Sequence, residues 1–200
     1  KNPVNGITTT VYDAAGRMTA RGNALDEVRF FAHDAADRQI AEADPLGQRV
    51  TTVYDAGGQR TATVNPLGDR TSFGYDLAGR EVRSTNPLGH STTSVFDDAG
   101  RTIATLDPLS RRTSFTHDSL NRQIAVRNPL NEITTTVYDG EGQVLATVDA
   151  LGRRTSYSYN VVGWRFEEVN PLGQTTTTLY DLAGRERRSV QSASGGPLRA

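Results

Sequence analysis

The sequence predicts an all-β fold, an array of 21-residue antiparallel β-hairpins forming a curved or spiralling sheet. Three observations predict it. An aromatic slot followed by Asp returns at a fixed interval, two turn signatures punctuate each interval, and the stretches between them have the composition of strands. The slot falls at Tyr12, His33, Tyr54, Tyr75, Phe96, His117, Tyr138, Tyr159 and Tyr180, which is nine copies at eight intervals of 21. Asp follows at eight of the nine, and Asn160 at the ninth. Such a period marks one small supersecondary unit stacked many times, not a fold built around a unique pocket.

The first turn reads Tyr-Asp-x-x-Gly-Arg, as in Tyr75-Asp76-Leu77-Ala78-Gly79-Arg80. The slot four residues after the aromatic is Gly in seven copies, Asp37 and Asn121 in the other two. Gly, Asn and Asp tolerate positive φ best, so the slot calls for a left-handed residue. An Asp that opens a tight turn three residues before such a position matches a type I turn closed by a bulge.

The second turn reads Asn/Asp-Pro-Leu-Gly, as in Asn65-Pro66-Leu67-Gly68. Its first slot is Asn or Asp throughout, and seven of the eight prolines fill its second slot. Pro presets φ for the second position of a type I or II turn, while Asn or Asp caps the turn through its side chain.

Between the turns lie segments such as Ile133-Thr134-Thr135-Thr136-Val137-Tyr138 and Arg101-Thr102-Ile103-Ala104-Thr105-Leu106. They are β-branched and aromatic, with neither the period nor the length of a helix. Two short strands and two turns account for 21 residues. Nine hairpins give roughly 18 strands, more than a flat open sheet usually holds, hence the expected curvature. The array is expected over residues 1–190, with an irregular tail over 191–200. The chain begins inside a repeat, at Lys1-Asn2-Pro3, and ends in Ser192-Ala193-Ser194-Gly195-Gly196-Pro197, and it reads as a piece of a longer array.

A second period of 42 runs through the two residues before each slot. Odd copies are hydroxyl-then-aliphatic (Thr52-Val53) and even copies aromatic-then-small (Phe73-Gly74). Two kinds of hairpin in alternation would explain it, and so would duplication of a two-hairpin block with large-against-small packing.

The formal net charge of −1 offers no field to gather nucleic acid or an anionic membrane. There is no cysteine, so no disulfide, thiol nucleophile or cysteine metal site. No apolar run approaches a membrane span and no signal segment opens the chain. His33 and His117 sit in the aromatic slot and read as flat rings replacing Tyr, while His90 stands apart. The Asp of each slot pair reads as a turn cap, since calcium needs more oxygens than these loops bring together. The residues thus point to no catalytic, cofactor or metal site. The repeated Tyr is open between a buried anchor with its hydroxyl on a partner and an exposed strip able to bind a glycan.

Tyr12-Asp13-Ala14-Ala15-Gly16-Arg17, Tyr75 to Arg80 and Tyr180-Asp181-Leu182-Ala183-Gly184-Arg185, with the second turn and its Thr-rich return, resemble the Rhs or YD-repeat family. The resemblance runs from Lys1 to about Val190. It implies a secreted or cell-envelope protein, a non-enzymatic wall segment of a shell whose partners are further repeats and an enclosed C-terminal effector of the same parent chain. A cell-surface adhesion or glycan-binding module is the alternative. Some relatives cut themselves at a core motif built on Asp-Pro-x-Gly-Leu. Here Asp44-Pro45-Leu46-Gly47 is followed by Gln48 in an ordinary turn, so that activity does not carry over. Residues Ile7 to Tyr12 form an uncharged candidate edge for self-association, which Thr9→Lys should reduce, whereas the charged stretch Arg185 to Ser189 should resist pairing.

Overall fold

The structure, a computed structural model, describes residues 8–192. They form eighteen strands and no helix, so no helix is long and apolar enough to cross a membrane. The first six strands are β1 (Thr9–Tyr12), β2 (Met18–Gly22), β3 (Val28–His33), β4 (Gln39–Ala43), β5 (Arg49–Tyr54) and β6 (Arg60–Val64). Next come β7 (Arg70–Tyr75), β8 (Glu81–Thr85), β9 (Ser91–Phe96), β10 (Thr102–Leu106), β11 (Arg112–His117) and β12 (Gln123–Arg127). The last six are β13 (Ile133–Tyr138), β14 (Val144–Val148), β15 (Arg154–Tyr159), β16 (Arg165–Val169), β17 (Thr175–Tyr180) and β18 (Glu186–Ser192). All belong to one open antiparallel sheet in which consecutive strands pair. β18 runs two residues past the expected end of the array. The rest of the expected tail, and Ile7 of the candidate edge, lie outside the described residues.

The chain divides into two compact units, Lys1–Ser94 and Val95–Ala200. Each shows the same construction. In the first unit β1 and β2 pair as Thr9↔Gly22, Thr10↔Arg21 and Val11↔Ala20, then shift by one residue to Tyr12↔Met18. The shift recurs before His33, Tyr54 and Tyr75, and in the second unit before His117, Tyr138, Tyr159 and Tyr180. This is the bulge that the first turn signature calls for. All nine residues four beyond the slot have positive φ, including Asp37 at 66° and Asn121 at 69°.

The second turn has the same geometry, which its sequence reading left open. In the Asn65 turn the N–H of Asn65 donates to the Asp69 carbonyl, and the N–H of Gly68 to the Asn65 carbonyl. The fourth slot takes positive φ even as Ser110, at 62°. The caps are those expected: Asn65 Oδ1 accepts from the N–H of Leu67 and of Asp69.

Packing is thin. Among the described residues the buried apolar ones are all alanines (Ala20, Ala41, Ala62, Ala104, Ala146), and no large side chain is fully buried. Ala62 lies in register between Val53 and Ser72, Ala146 between Val137 and Ser156, and Ala20 between Val11 and Phe30. Successive strand residues face opposite sides. The opposite side carries hydroxyls where Thr63 stands between Thr52 and Thr71, and aromatic rings where Phe73 faces Ser84 and Tyr157 faces Glu168. With little apolar burial, this single layer depends on its backbone ladder and on contacts between successive hairpins.

Candidate functional site: the joint between successive hairpins

The signature residues converge where one hairpin meets the next. Asp13 begins the joint. Its Oδ1 accepts from the N–H of Ala15 and of Arg17, which fixes the turn and directs the Arg17 side chain back over it. Arg17 Nε then donates to Asp13 Oδ2 at 2.7 Å. The other end of the guanidinium leaves the hairpin: Arg17 Nη1 donates to the carbonyl of Asp34, the same residue one repeat later, at 2.8 Å. Arg38 does the same to Asp55, Arg101 to Asp118 and Arg122 to Asp139. Each of these arginines spans 17 residues of sequence by clasping its own turn and hooking the next. Arginine alone offers several donors in a rigid fork for such a task.

The slot ring completes the joint. Tyr75 Oη donates to the carbonyl of Arg60 at 2.8 Å, and Tyr159 to Val144 at 3.0 Å. Tyr138 to Gln123 and Tyr180 to Arg165 repeat the pattern, always 15 residues back, at the first residue of the preceding return strand. The guanidinium of Arg38 covers the Tyr54 ring at 4.8 Å, and that of Arg122 covers Tyr138 at 4.7 Å. Tyr138 is engaged on both counts, the other rings on one. The structure therefore favours the anchor over a free strip of exposed rings. Tyr12, with no hairpin before it among the described residues, is 61% exposed.

Electrostatics follow the contacts. The N–H of Arg17, then its guanidinium, hold the Asp13 carboxyl below its ordinary value against partial desolvation. Asp76, Asp97, Asp118 and Asp181 are lowered in the same way, and Asp34 chiefly by the Arg38 side chain. One hairpin replaces the ion pair altogether. Asn160 stands for Asp and Trp164 for Arg, and Trp164 lies tilted against Tyr180 instead. A Cβ at Gly184 would lie 2.8 Å from Trp164 Cζ2, so that Gly is held by crowding as well as by its φ.

His33 and His117 occupy the slot as expected, in register with Gln39 and Gln123. Neither ring reproduces the Tyr hydrogen bond, and the Nδ1 atom of each is buried without a partner. His90 lies in a second turn, its N–H on Asn86 Oδ1. Among the described residues no cluster of three or more His, Asp or Glu is placed to hold a metal ion.

Sequence reading missed a charge-matching rule in the second turn. Where the fifth position is acidic the first is Asn, whose Nδ2 donates to it: Asn23 to Glu27, Asn65 to Asp69, Asn128 to Glu132. Where the fifth is Arg the first is Asp, as in Asp107–Arg111 and Asp149–Arg153, both 2.6 Å. The residue types alone, compared copy by copy, carried that signal. The joint itself could not be found this way, because its partners lie 15 and 17 residues apart on different hairpins.

Solved structures share this architecture. The chain is similar to the crystal structure of TcdB2-TccC3, at 14% identity over 95% of this chain and 15% of that one, with a TM-score of 0.51. It is similar to TcdB2-TccC3-Cdc42 (14% identity, 95% and 14% of the two chains, TM-score 0.52). It is also similar to TcdB2-TccC3 without its hypervariable C-terminal region (14% identity, 95% and 14%, TM-score 0.51). At this identity the likeness is one of fold, and the chain spans about a seventh of those chains. No curated protein matches the sequence significantly. The RHS Repeat family model matches residues 33–70, 54–92, 96–133 and 138–169, each match starting at an aromatic slot. Together these cover more than half of the sequence, and the chain belongs to the RHS repeat family.

Proposed function

We propose that this array is a structural, non-catalytic wall segment of a shell, in a secreted or envelope-associated parent chain that encloses a C-terminal effector polypeptide. The observation that carries this reading is the joint. The polar groups of the signature residues are spent on neighbouring hairpins, so the repeated motif builds an extended surface and leaves no shared reactive centre. Two further features support it. The sheet is one layer thick with almost no core of its own. In each unit the second turns also present exposed leucines, such as Leu67 and Leu130, at 87% and 78%. One such leucine in each turn gives the array a row of apolar side chains for another polypeptide to cover. One similar structure, printed as TcdB2-TccC3 without hypervariable C-terminal region, agrees with a parent of this plan. In that parent, residues 1–190 would be one stretch of a longer array.

The test is protease protection in the full-length parent chain. A polypeptide C-terminal to the array should resist digestion while the array is intact and become sensitive when Arg38, Arg101 and Arg122 are replaced together by Ala. Equal sensitivity with and without those replacements would sink the shell reading.

A further inference from the structure

One first turn of the second unit departs from the rest in three ways at once. It reads Asp139-Gly140-Glu141-Gly142, and no other slot pair is followed directly by Gly. Its carboxylate is not clasped. Six slot aspartates hold the Nε of an arginine four residues on, as Asp118 Oδ2 holds Arg122 at 2.7 Å. Gln143 stands there instead, and its Nε2 lies 3.4 Å from the place a Cβ on Gly163 would take, in the next turn. Closure is also long. The N–H of Gly142 donates to the Asp139 carbonyl at 3.3 Å, where the other described turns close at 2.8–3.2 Å. Neither space nor backbone angle demands Gly at 140, since a Cβ there would meet nothing and its φ is not positive. The hydrogen bonds of the turn come from the N–H groups of Glu141, Gly142 and Gln143. Among the described residues nothing accepts from that of Gly140. We propose that Asp139–Gly140 is a site of spontaneous isomerisation, in which the main chain is rerouted through the Asp139 side chain and the Arg122 hook is released.

The Gly140 nitrogen is the nucleophile and Asp139 Cγ the electrophile. A C–N bond forms, and one carboxyl oxygen leaves as water, taking the Gly140 amide proton and one proton from solvent. The product is a cyclic imide, which a second water opens. Opening at Cγ restores Asp139. Opening at the original main-chain carbonyl leaves the chain running through Cβ and Cγ, with a carboxylate where that carbonyl was. No oxidant or cofactor enters, and the mass is unchanged. Gly favours ring closure because no Cβ shields its nitrogen and its backbone is the least restricted. Asp118 precedes the small Ser119, but its carboxylate is fixed by Arg122. The loss is specific. The Asp139 carbonyl accepts from Arg122 Nη1 at 2.7 Å, and from the Gly142 N–H that closes the turn. Isomerisation takes that carbonyl out of the main chain, so the hook no longer ties one hairpin to the next. The change needs no shell and stands apart from the proposed function.

The test ages the folded chain for weeks at neutral pH and physiological temperature, then maps isoaspartate in its peptides with a protein isoaspartyl methyltransferase. Label should collect in the peptide that holds Asp139. Asp55 is the internal control, because Gln59 also leaves it unclasped but Ala56 follows it, and it should stay unlabelled. Asn5-Gly6 falls in a separate peptide and is read apart. Gly140→Ala should abolish the label, and Gln143→Arg should reduce it by restoring the clasp. The other eight slots carry a side chain at the position of Gly140, so the first variant keeps the turn; should it fail to fold, Gln143→Arg carries the comparison. The aged chain should melt lower than the fresh one in proportion to its label, and ageing should lower an Arg122→Ala chain less. Label equal at Asp55, label retained in Gly140→Ala, label that forms only in the urea-unfolded chain, or an aged chain that melts like the fresh one would each overturn the proposal.

Discussion

Trp164 lies against Tyr180, ring centroids 5.5 Å apart and planes tilted by 50°, in the place where Arg38 covers Tyr54. The same hairpin has Asn160 where the others have Asp, so cation and anion are absent together. Trp164→Arg alone should cost about 0.5–1.5 kcal/mol, the worth of an aromatic pair beyond its burial. The double change Asn160→Asp with Trp164→Arg should recover most of that loss. Urea denaturation of the four proteins in a double-mutant cycle measures the coupling, and strict additivity would show that the two sites are independent.

The Tyr hydroxyl gives a cleaner reading of one joint. Tyr75→Phe removes only the hydrogen bond to the Arg60 carbonyl and should cost about 0.5–1.5 kcal/mol. Tyr12→Phe, at an exposed ring, should be close to neutral. Equal losses at both positions would mean that the hydroxyl does not join hairpins.

His33 and His117 each leave Nδ1 buried without a partner. Replacing either by Tyr supplies the ring length and hydroxyl that the other slots use. Stability should stay the same or rise for the double variant. A loss of several kcal/mol, beyond the ~0.5–3 of ordinary substitutions, would assign these histidines a separate task.

Acid should loosen the array in a definite window. The joint carboxyls of Asp13, Asp34, Asp76, Asp97, Asp118 and Asp181 lie below the ordinary value of 3.8 in the folded chain. A depressed folded value contributes stability that is fully present above the unfolded value and disappears as pH falls through the folded one. The melting temperature should thus hold from neutrality to about pH 5 and then fall steeply below pH 4. Asp76→Asn should lower stability at neutral pH and flatten the acid limb. An acid limb as steep as in the unmodified chain would remove Asp76 from the account.

Left-handed slots give a backbone test that owes nothing to side-chain partners. Gly79, at φ 79°, should lose about 1–2 kcal/mol on change to Ala. Asn121→Gly and Ser110→Gly should be neutral or stabilising, because both residues already hold positive φ. Opposite signs in thermal unfolding would count against the turn geometry described here.

Much of the fold was legible because it is written locally. Asp76 and Gly79 specify a turn within four residues, and Thr134 to Tyr138 a strand within five, so the repeat period could be translated directly into hairpins. The left-handed conformation of Ser110 was not legible, since Ser rarely demands positive φ and only the shared cap geometry imposes it. Nor was the hook from Arg38 to Asp55. The sequence shows Arg38 four residues after Asp34, which accounts for the ion pair but not for the guanidinium nitrogen left to reach across. The anchor role of Tyr75 was foreseeable as one of two alternatives, and its acceptor, a main-chain carbonyl, has no residue identity to read.

An alanine core has a kinetic meaning. Ala62 and Ala146 hold together only the strands on either side of them, and the hooks reach no farther than 17 residues. No contact of this kind waits for distant parts of the chain to meet, so the entropy of closing long loops hardly enters the barrier. Any adjacent pair of hairpins can serve as the nucleus, and growth proceeds outward one hairpin at a time. Under tension the order reverses. Pulled from its ends, the array should yield as a series of small, nearly equal steps instead of one cooperative rupture, lengthening while its middle remains folded.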